Sequence, residues 1–532
     1  MISGIKFAPR LLILIGCALA LPACGEKAWV SPVTGFWRDG TNWSGNTPPD
    51  STAFIQITNA NTKTVIIDAL TPATNLTAQM LTLNAPPGQT NALLLDSAGT
   101  NNPLILQTGL TLQDGAVLRI TNSALVLQLT NDHVNIDGSL VLDSGYMDFG
   151  DVTVTARVGR VTSGTFTINS GLVSVGTLTV GGLTNSSGAL NLNGGILNVA
   201  SLLSVGRNPG TTGTASVLGG QLRVPNDDTR IGDSGLGQLT VSNATALLTN
   251  LVVGHDPSAS GTLVVQNNGL ILTSNDVSIA RLDGSTGTVF VLGGQLQALG
   301  QTIHVGQEGS GAMILSNGTV QAAQVLVAAD DTNTASGRLT VAGGALVLSW
   351  DLAVGSALGS TGQVVLSGGS ITVGNLVLTN STGQFLFSGG TLTTAGTTVA
   401  NGAPFVVGDG LAPALLYLNG GTHTFANGLV ISSNATLAGC GAIVGTLVNH
   451  GTVIPCGTPV PSQIAGFVRS GATNTISFPT VVGQTYTLEF RNALTDASWT
   501  PLVPPTNGNG SLMTLQDLSA TGAARFYHLR IQ

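Results

Sequence analysis

Ten stretches decide the fold: Gly164-Thr-Phe-Thr-Ile, Gly188-Ala-Leu-Asn-Leu, Gly213-Thr-Ala-Ser-Val, Gly237-Gln-Leu-Thr-Val and Gly261-Thr-Leu-Val-Val, continued by Gly287-Thr-Val-Phe-Val, Gly311-Ala-Met-Ile-Leu, Gly337-Arg-Leu-Thr-Val, Gly362-Gln-Val-Val-Leu and Gly383-Gln-Phe-Leu-Phe. Their starts lie 24, 25, 24, 24, 26, 24, 26, 25 and 21 residues apart. A period this steady is the mark of a repeat architecture. Within each repeat two more short runs follow. One comes after a paired-glycine corner such as Gly219-Gly220 or Gly343-Gly344, and the other ends in Val-Gly, as in Ser204-Val205-Gly206 and His304-Val305-Gly306. Strict alternation over four or five residues makes each run a strand with one buried face. Paired glycines supply the positive φ that tight corners need. No ten-residue window has a 3.6-residue apolar period, so no helix is expected.

Three strands and three corners in about 24 residues form one coil of a parallel β-helix, stacked on its neighbours at roughly 4.8 Å. An aromatic content of 4% argues against a propeller, whose blades carry aromatic signatures at longer periods. Worn repeats start at Thr64, Asn91, Gly115 and Gly138. With the closing coils the expectation is an all-β chain: a right-handed parallel β-helix, or β-solenoid, of about 16 coils over residues 64–457. A small C-terminal β-sandwich over 458–532 should follow, entered through Thr458-Pro-Val-Pro461 and carrying Thr485-Tyr-Thr-Leu-Glu-Phe and Arg525-Phe-Tyr-His-Leu-Arg-Ile as strands.

Composition narrows the function. Charged residues are 8% of the chain, net charge is −8, and Lys6, Lys27 and Lys63 are the only lysines. A nucleic-acid partner needs a basic stripe that this chain lacks, and binding to anionic lipid is disfavoured for the same reason. No later apolar run reaches the length of a membrane span. Residues 1–23 read as a signal peptide: Lys6 and Arg10 precede the apolar stretch Leu11 to Leu21 and the small residues Ala20 and Ala23. Leu21-Pro22-Ala23-Cys24 approaches a lipobox, so Cys24 is a lipidation candidate, with ordinary cleavage as the alternative. The expected location is extracellular or cell-surface. Cys440 and Cys456 form either a disulfide or two small buried apolar groups. Trp29, Trp37 and Trp43 crowd the N-terminal stretch 24–63, either as a cap over the first coil or as a platform for sugar rings.

The polar corner after the third strand collects Arg207, Asp233, His255, Asp256, Asp283, Glu308, Asp330 and Asp331. In-register stacking places them along one edge of the rod. Asp233 and Asp256 are the nearest to an acid/base pair for a polysaccharide lyase or glycoside hydrolase; otherwise these residues are solvated turns. His304 and His423 read as packed or surface side chains. No metal, cofactor or thiol-redox motif is present, and no catalytic residue is assigned. The phrase Leu437-x-Gly-x-Gly-x-Ile-x-Gly-x-x-x-Asn-x-Gly-x-Val453 resembles the end of autotransporter-associated β-strand repeat and PEP-CTERM-associated repeat proteins, exported bacterial β-helix proteins of the Verrucomicrobia-like kind. The resemblance covers about Trp29 to Cys456 and implies a surface or secreted β-helix, often without catalysis. The chain departs from these groups in showing neither a membrane barrel after the solenoid nor a Pro-Glu-Pro sorting tail. Together the residues and the resemblance point to a non-enzymatic structural or adhesive scaffold, a monomeric rod in contact with polysaccharide or other surface components.

Overall fold

A computed structural model describes residues 25–129, 133–330, 334–355, 359–456, 464–481, 484–508, 512–520 and 524–531. The expected signal segment, Cys24, Asp331 and the linker Thr458 to Pro461 lie outside them. The chain is nearly all β, a parallel β-solenoid of about 17 turns with a separate antiparallel region near the C-terminus. No α-helix occurs among the described residues.

Register follows from the repeat. Gly164, Gly188, Gly213, Gly237, Gly261, Gly287, Gly311, Gly337, Gly362 and Gly383 pair in unbroken succession up the first ladder. Two residues on, Phe166, Leu190, Ala215, Leu239, Leu263, Val289, Met313, Leu339 and Val364 stack as one inward column, each at most 2% exposed. A one-residue slip would turn that whole column to solvent, so the apolar alternation holds the register. Strands that look separate in sequence also fuse around corners: Thr286–Val305 and Ser310–Val327 each run through a full coil.

The solenoid begins earlier than the spacing indicated. Gly25–Ala28 pairs in parallel with Ala53–Ile57, and Gly35–Phe36 with the strand Lys63–Asp68. The stretch assigned to a cap therefore contributes strands of its own. Over them Trp29, Trp37 and Trp43 are 1%, 0% and 0% exposed, in edge contacts at 5.1 and 5.0 Å between ring centroids. Lys63, 2% exposed, places its ammonium among the carbonyls of Asn59, Ala60 and Asn61 and Oδ1 of Asn91. Four acceptors replace its water, which makes the burial of that charge tolerable.

After Cys456 two antiparallel sheets share a core of Ile476, Phe478, Tyr486, Leu488 and Leu529. One contains Gly466–Ser470, Thr473–Pro479 and Leu512–Asp517; the other centres on Thr485–Arg491, flanked by Phe526–Ile531 and two short strands. This is the packing expected of a small sandwich. The disulfide Cys440–Cys456 closes the last turn of the solenoid. Closing a loop of this size contributes on the order of 3 kcal/mol.

The tightest place in the fold is the corner from third strand to first. Gly206, Gly232, Gly254, Gly306 and Gly355 all have positive φ there. A Cβ on Gly206 would lie 2.2 Å from the Leu236 carbonyl oxygen, and one on Gly237 2.4 Å from that of Val205. Two glycine columns thus pack backbone on backbone. Ala280 (φ 57°) and Ala328 (φ 46°) interrupt the first column and bear the left-handed strain that glycine avoids. Accordingly, Gly206→Ala should lower the stability by about 2 kcal/mol or more. Ala280→Gly should leave it unchanged or raise it by a few tenths of a kcal/mol, because relieved strain exceeds the added unfolded-state freedom. Thermal unfolding of the two variants checks the opposite signs.

Candidate functional site

The third ladder carries Arg157, Thr179, Ser204, Arg230, Val252, Ser278 and His304 in one outward column. These outward positions are not uniformly wet: Thr179 and Ser204 are 0% exposed. The corner that follows each strand folds back over the column, so its polar residues meet the outward side chains of neighbouring coils. Asp256 N donates to the Asp233 carbonyl at 2.8 Å, which stacks one corner directly on the next.

Stacking brings together the two aspartates singled out from the sequence, with His255 between them. His255 Nδ1 lies 2.7 Å from Asp256 Oδ1 and 3.5 Å from Asp233 Oδ1. Asp233, 5% exposed, accepts from Ser204 Oγ at 2.7 Å and from Arg230 Nη1 at 3.3 Å. Asp256 accepts from Ser234 Oγ. Arg230 is bound on its other side by Asp228 at 3.0 Å, which also accepts from Asn250 and lies 3.7 Å from Arg281. Burial works to raise the Asp256 carboxyl, but the Ser234 hydrogen bond and the His255 charge outweigh it and hold it below the usual range. Burial likewise opposes the Arg230 charge, and the facing Asp233 and Asp228 overcome it, so its affinity for the proton rises.

The chemistry of such a cluster is restricted. Acid/base work on a glycosidic bond needs one carboxyl kept protonated, one free, and an open approach to both. Asp233 has both oxygens engaged by donors and almost no surface. Asp233, His255 and Asp256 do present three ligand atoms within 4.8 Å of one another. The Arg230 guanidinium already stands at Asp233, where a cation's charge would be needed. The set is an ion-paired and hydrogen-bonded network that links three successive coils.

His304 and His423, the two histidines singled out from the sequence, are likewise engaged. His304 Nδ1 lies 2.9 and 3.0 Å from the two oxygens of Asp330, on the next coil. His423 is 0% exposed; its Nε2 donates to the Gly420 carbonyl and its Nδ1 accepts from Thr397 Oγ1. Burial pushes its pKa down. The sequence pattern identified none of these partners, because they depend on which corner overhangs which strand.

Aromatic placement is divided. Trp29, Trp37 and Trp43 offer no ring face to a ligand, being buried. Trp350, which the sequence analysis passed over, is 60% exposed, beside a hydrogen-bonded pair in which Asn375 Nδ2 donates to Asp351 Oδ1 at 2.9 Å. Between the closing coils and the sandwich lies a cavity of about 520 Å³ lined by Leu415, Thr436, Thr452, Ile464, Pro479 and Tyr486. In the sandwich, Asp517 has no exposed side-chain surface and accepts from Tyr527, Arg525 and Ser519. Burial pushes its carboxyl up, but those donors prevail and bring it down to about 2.

No family profile, curated protein or solved structure matches this chain.

Two outcomes follow. Asp233→Ala, which leaves a buried donor set unanswered, should cost on the order of 2–3 kcal/mol. Asp256→Ala, at a side chain 39% exposed, should cost less than about 1 kcal/mol; urea unfolding of both variants tests this ranking. For Asp517 the folded carboxyl sits below its unfolded value near 3.9. Its contribution is therefore complete above about pH 4 and lost as pH falls towards 2, a change on the order of 2 kcal/mol. Acid titration of sandwich unfolding should show this loss, and Asp517→Asn should flatten it.

Proposed function

We propose that this protein is an exported, non-enzymatic β-solenoid of the cell surface or extracellular space, a structural or adhesive scaffold that contacts carbohydrate. The observation that carries the reading is the mutual engagement of the corner side chains. On this edge Asp228, Asp233, Asp256 and Asp330, with His255 and His304, answer one another or nearby donors, mostly across neighbouring coils, on corners too short to wall a groove, which suits a rod and not a reaction centre. The disulfide Cys440–Cys456 supports export, since such bonds persist in oxidising compartments. The signal-peptide pattern of residues 1–23 and the resemblance to exported repeat proteins agree with it. No helix among the described residues is long and apolar enough to cross a membrane. For carbohydrate, Trp350 supplies an exposed flat apolar face, with the polar pair Asp351 and Asn375 on the same and the adjoining coil, a combination suited to a sugar ring whose C–H face stacks while its hydroxyls are bonded.

A second reading, a polysaccharide lyase or glycoside hydrolase, draws on the closeness of Asp233, His255 and Asp256. An array of plant, algal and bacterial polysaccharides, assayed for retention and for new reducing or unsaturated ends, separates the two. Retention without cleavage is expected, weakened at least tenfold by Trp350→Ala or by removal of residues 459–532. Cleavage that vanishes in Asp256→Ala, whose fold should survive, would establish the enzyme instead.

A further inference from the structure

The two ends of the solenoid differ in how they are finished. At the C-terminal end Leu447–Asn449 pairs only with Leu429–Ile431, and Thr452–Val453 only with the strand Ala435–Val444. Their outer edges meet no strand among the described residues. One coil above, Leu429 and Ile431 are 0% exposed; here Leu447, Val448, Val453 and Val444 are 40%, 40%, 43% and 51% exposed. The segment is not a loose tail, because Cys440 and Cys456 tie it down on both sides. It also carries no charged edge guard: residues 441–455 contain no Lys, Arg, Asp or Glu, and the single proline, Pro455, lies beyond the strand Thr452–Val453.

The N-terminal end is guarded. Its first strand bears Glu26 and Lys27, prolines 32, 48 and 49 punctuate the stretch behind it, and Arg38 pairs with Asp68 at 2.9 Å. Its core is closed by the three buried tryptophans. Head-to-tail joining would set an uncharged open edge against that charged, finished one, and would also propagate into a filament. Joining like ends sets uncharged edge on uncharged edge and stops at two.

From this we propose that two copies join through their C-terminal edges into a closed two-fold dimer, in place of the single rod expected from the sequence. Leu447–Asn449 pairs antiparallel with the same strand of the second copy, covering Leu447, Val448 and Val453. The inference is independent of the carbohydrate reading.

Sedimentation equilibrium and small-angle scattering of the full chain test it. A dimer is expected, with a rod of about 160 Å against about 80 Å for one solenoid of 17 turns. The double variant Val448→Lys, Val453→Lys should sediment as a monomer with an unchanged β spectrum. Val33→Lys, at an exposed residue of the other end, should remain dimeric. Hydrogen exchange on the native chain gives a reading free of any folding defect: amides 447–453 should become protected as concentration rises. A monomeric native chain, open-ended filaments, a dimer that persists in the double variant, or amides equally open at all concentrations would each overturn the proposal.

Discussion

Backbone meeting backbone at the corner between third and first strands is the constraint on which the rest depends. Where Gly206 faces Leu236 and Gly237 faces Val205, no Cβ fits. This close approach lets each corner turn within a few residues and keeps successive coils in contact. In-register stacking follows, and from it the inward column from Phe166 to Val364. A solenoid has no other way to bury apolar surface, since a single coil has no interior. The alanines at 280 and 328 show that the corner tolerates a methyl in places, with backbone strain.

The same stacking that builds the core organises the polar edge. A corner residue cannot move without its neighbours on adjacent coils, so Ser204, Arg230, Asp233, His255 and Asp256 act as one set. Their partners lie 22 to 29 residues away for the contacts Ser234–Asp256 and Ser204–Asp233, about one coil. The network therefore reports the pitch of the helix as directly as the glycines do. Ion pairs and hydrogen bonds that cross from one coil to the next in this way add cohesion between coils.

Much of this was legible in the sequence because the repeat is local and periodic. The ten starts, each a glycine followed by alternating apolar residues, specify strand register from residue 164 onward, and the glycine corners specify the turns. The N-terminal coil was missed because Gly25–Ala28 and Gly35–Phe36 carry no Gly-x-Leu-x-Val phrase; their pairing is shown only by the strands they lie against. The aspartate pair was visible from spacing, but its imidazole bridge and guanidinium partner were not, since overhang of a corner on a strand leaves no period. The cage around Lys63 and the exposure of Trp350 were invisible for the same reason: each depends on the fold of a single irregular corner.

The scarcity of lysine has a consequence for handling the molecule. Among the described residues the primary side-chain amines are those of Lys27 and Lys63, and the second is enclosed by four oxygens. From residue 64 to the end there is no lysine at all. Reagents that couple to side-chain amines can therefore reach the solenoid only within its first coil. A surface activated for amine coupling would hold it by that end, with the sandwich pointing away, and proteases that cut after lysine would find no site along the remaining length.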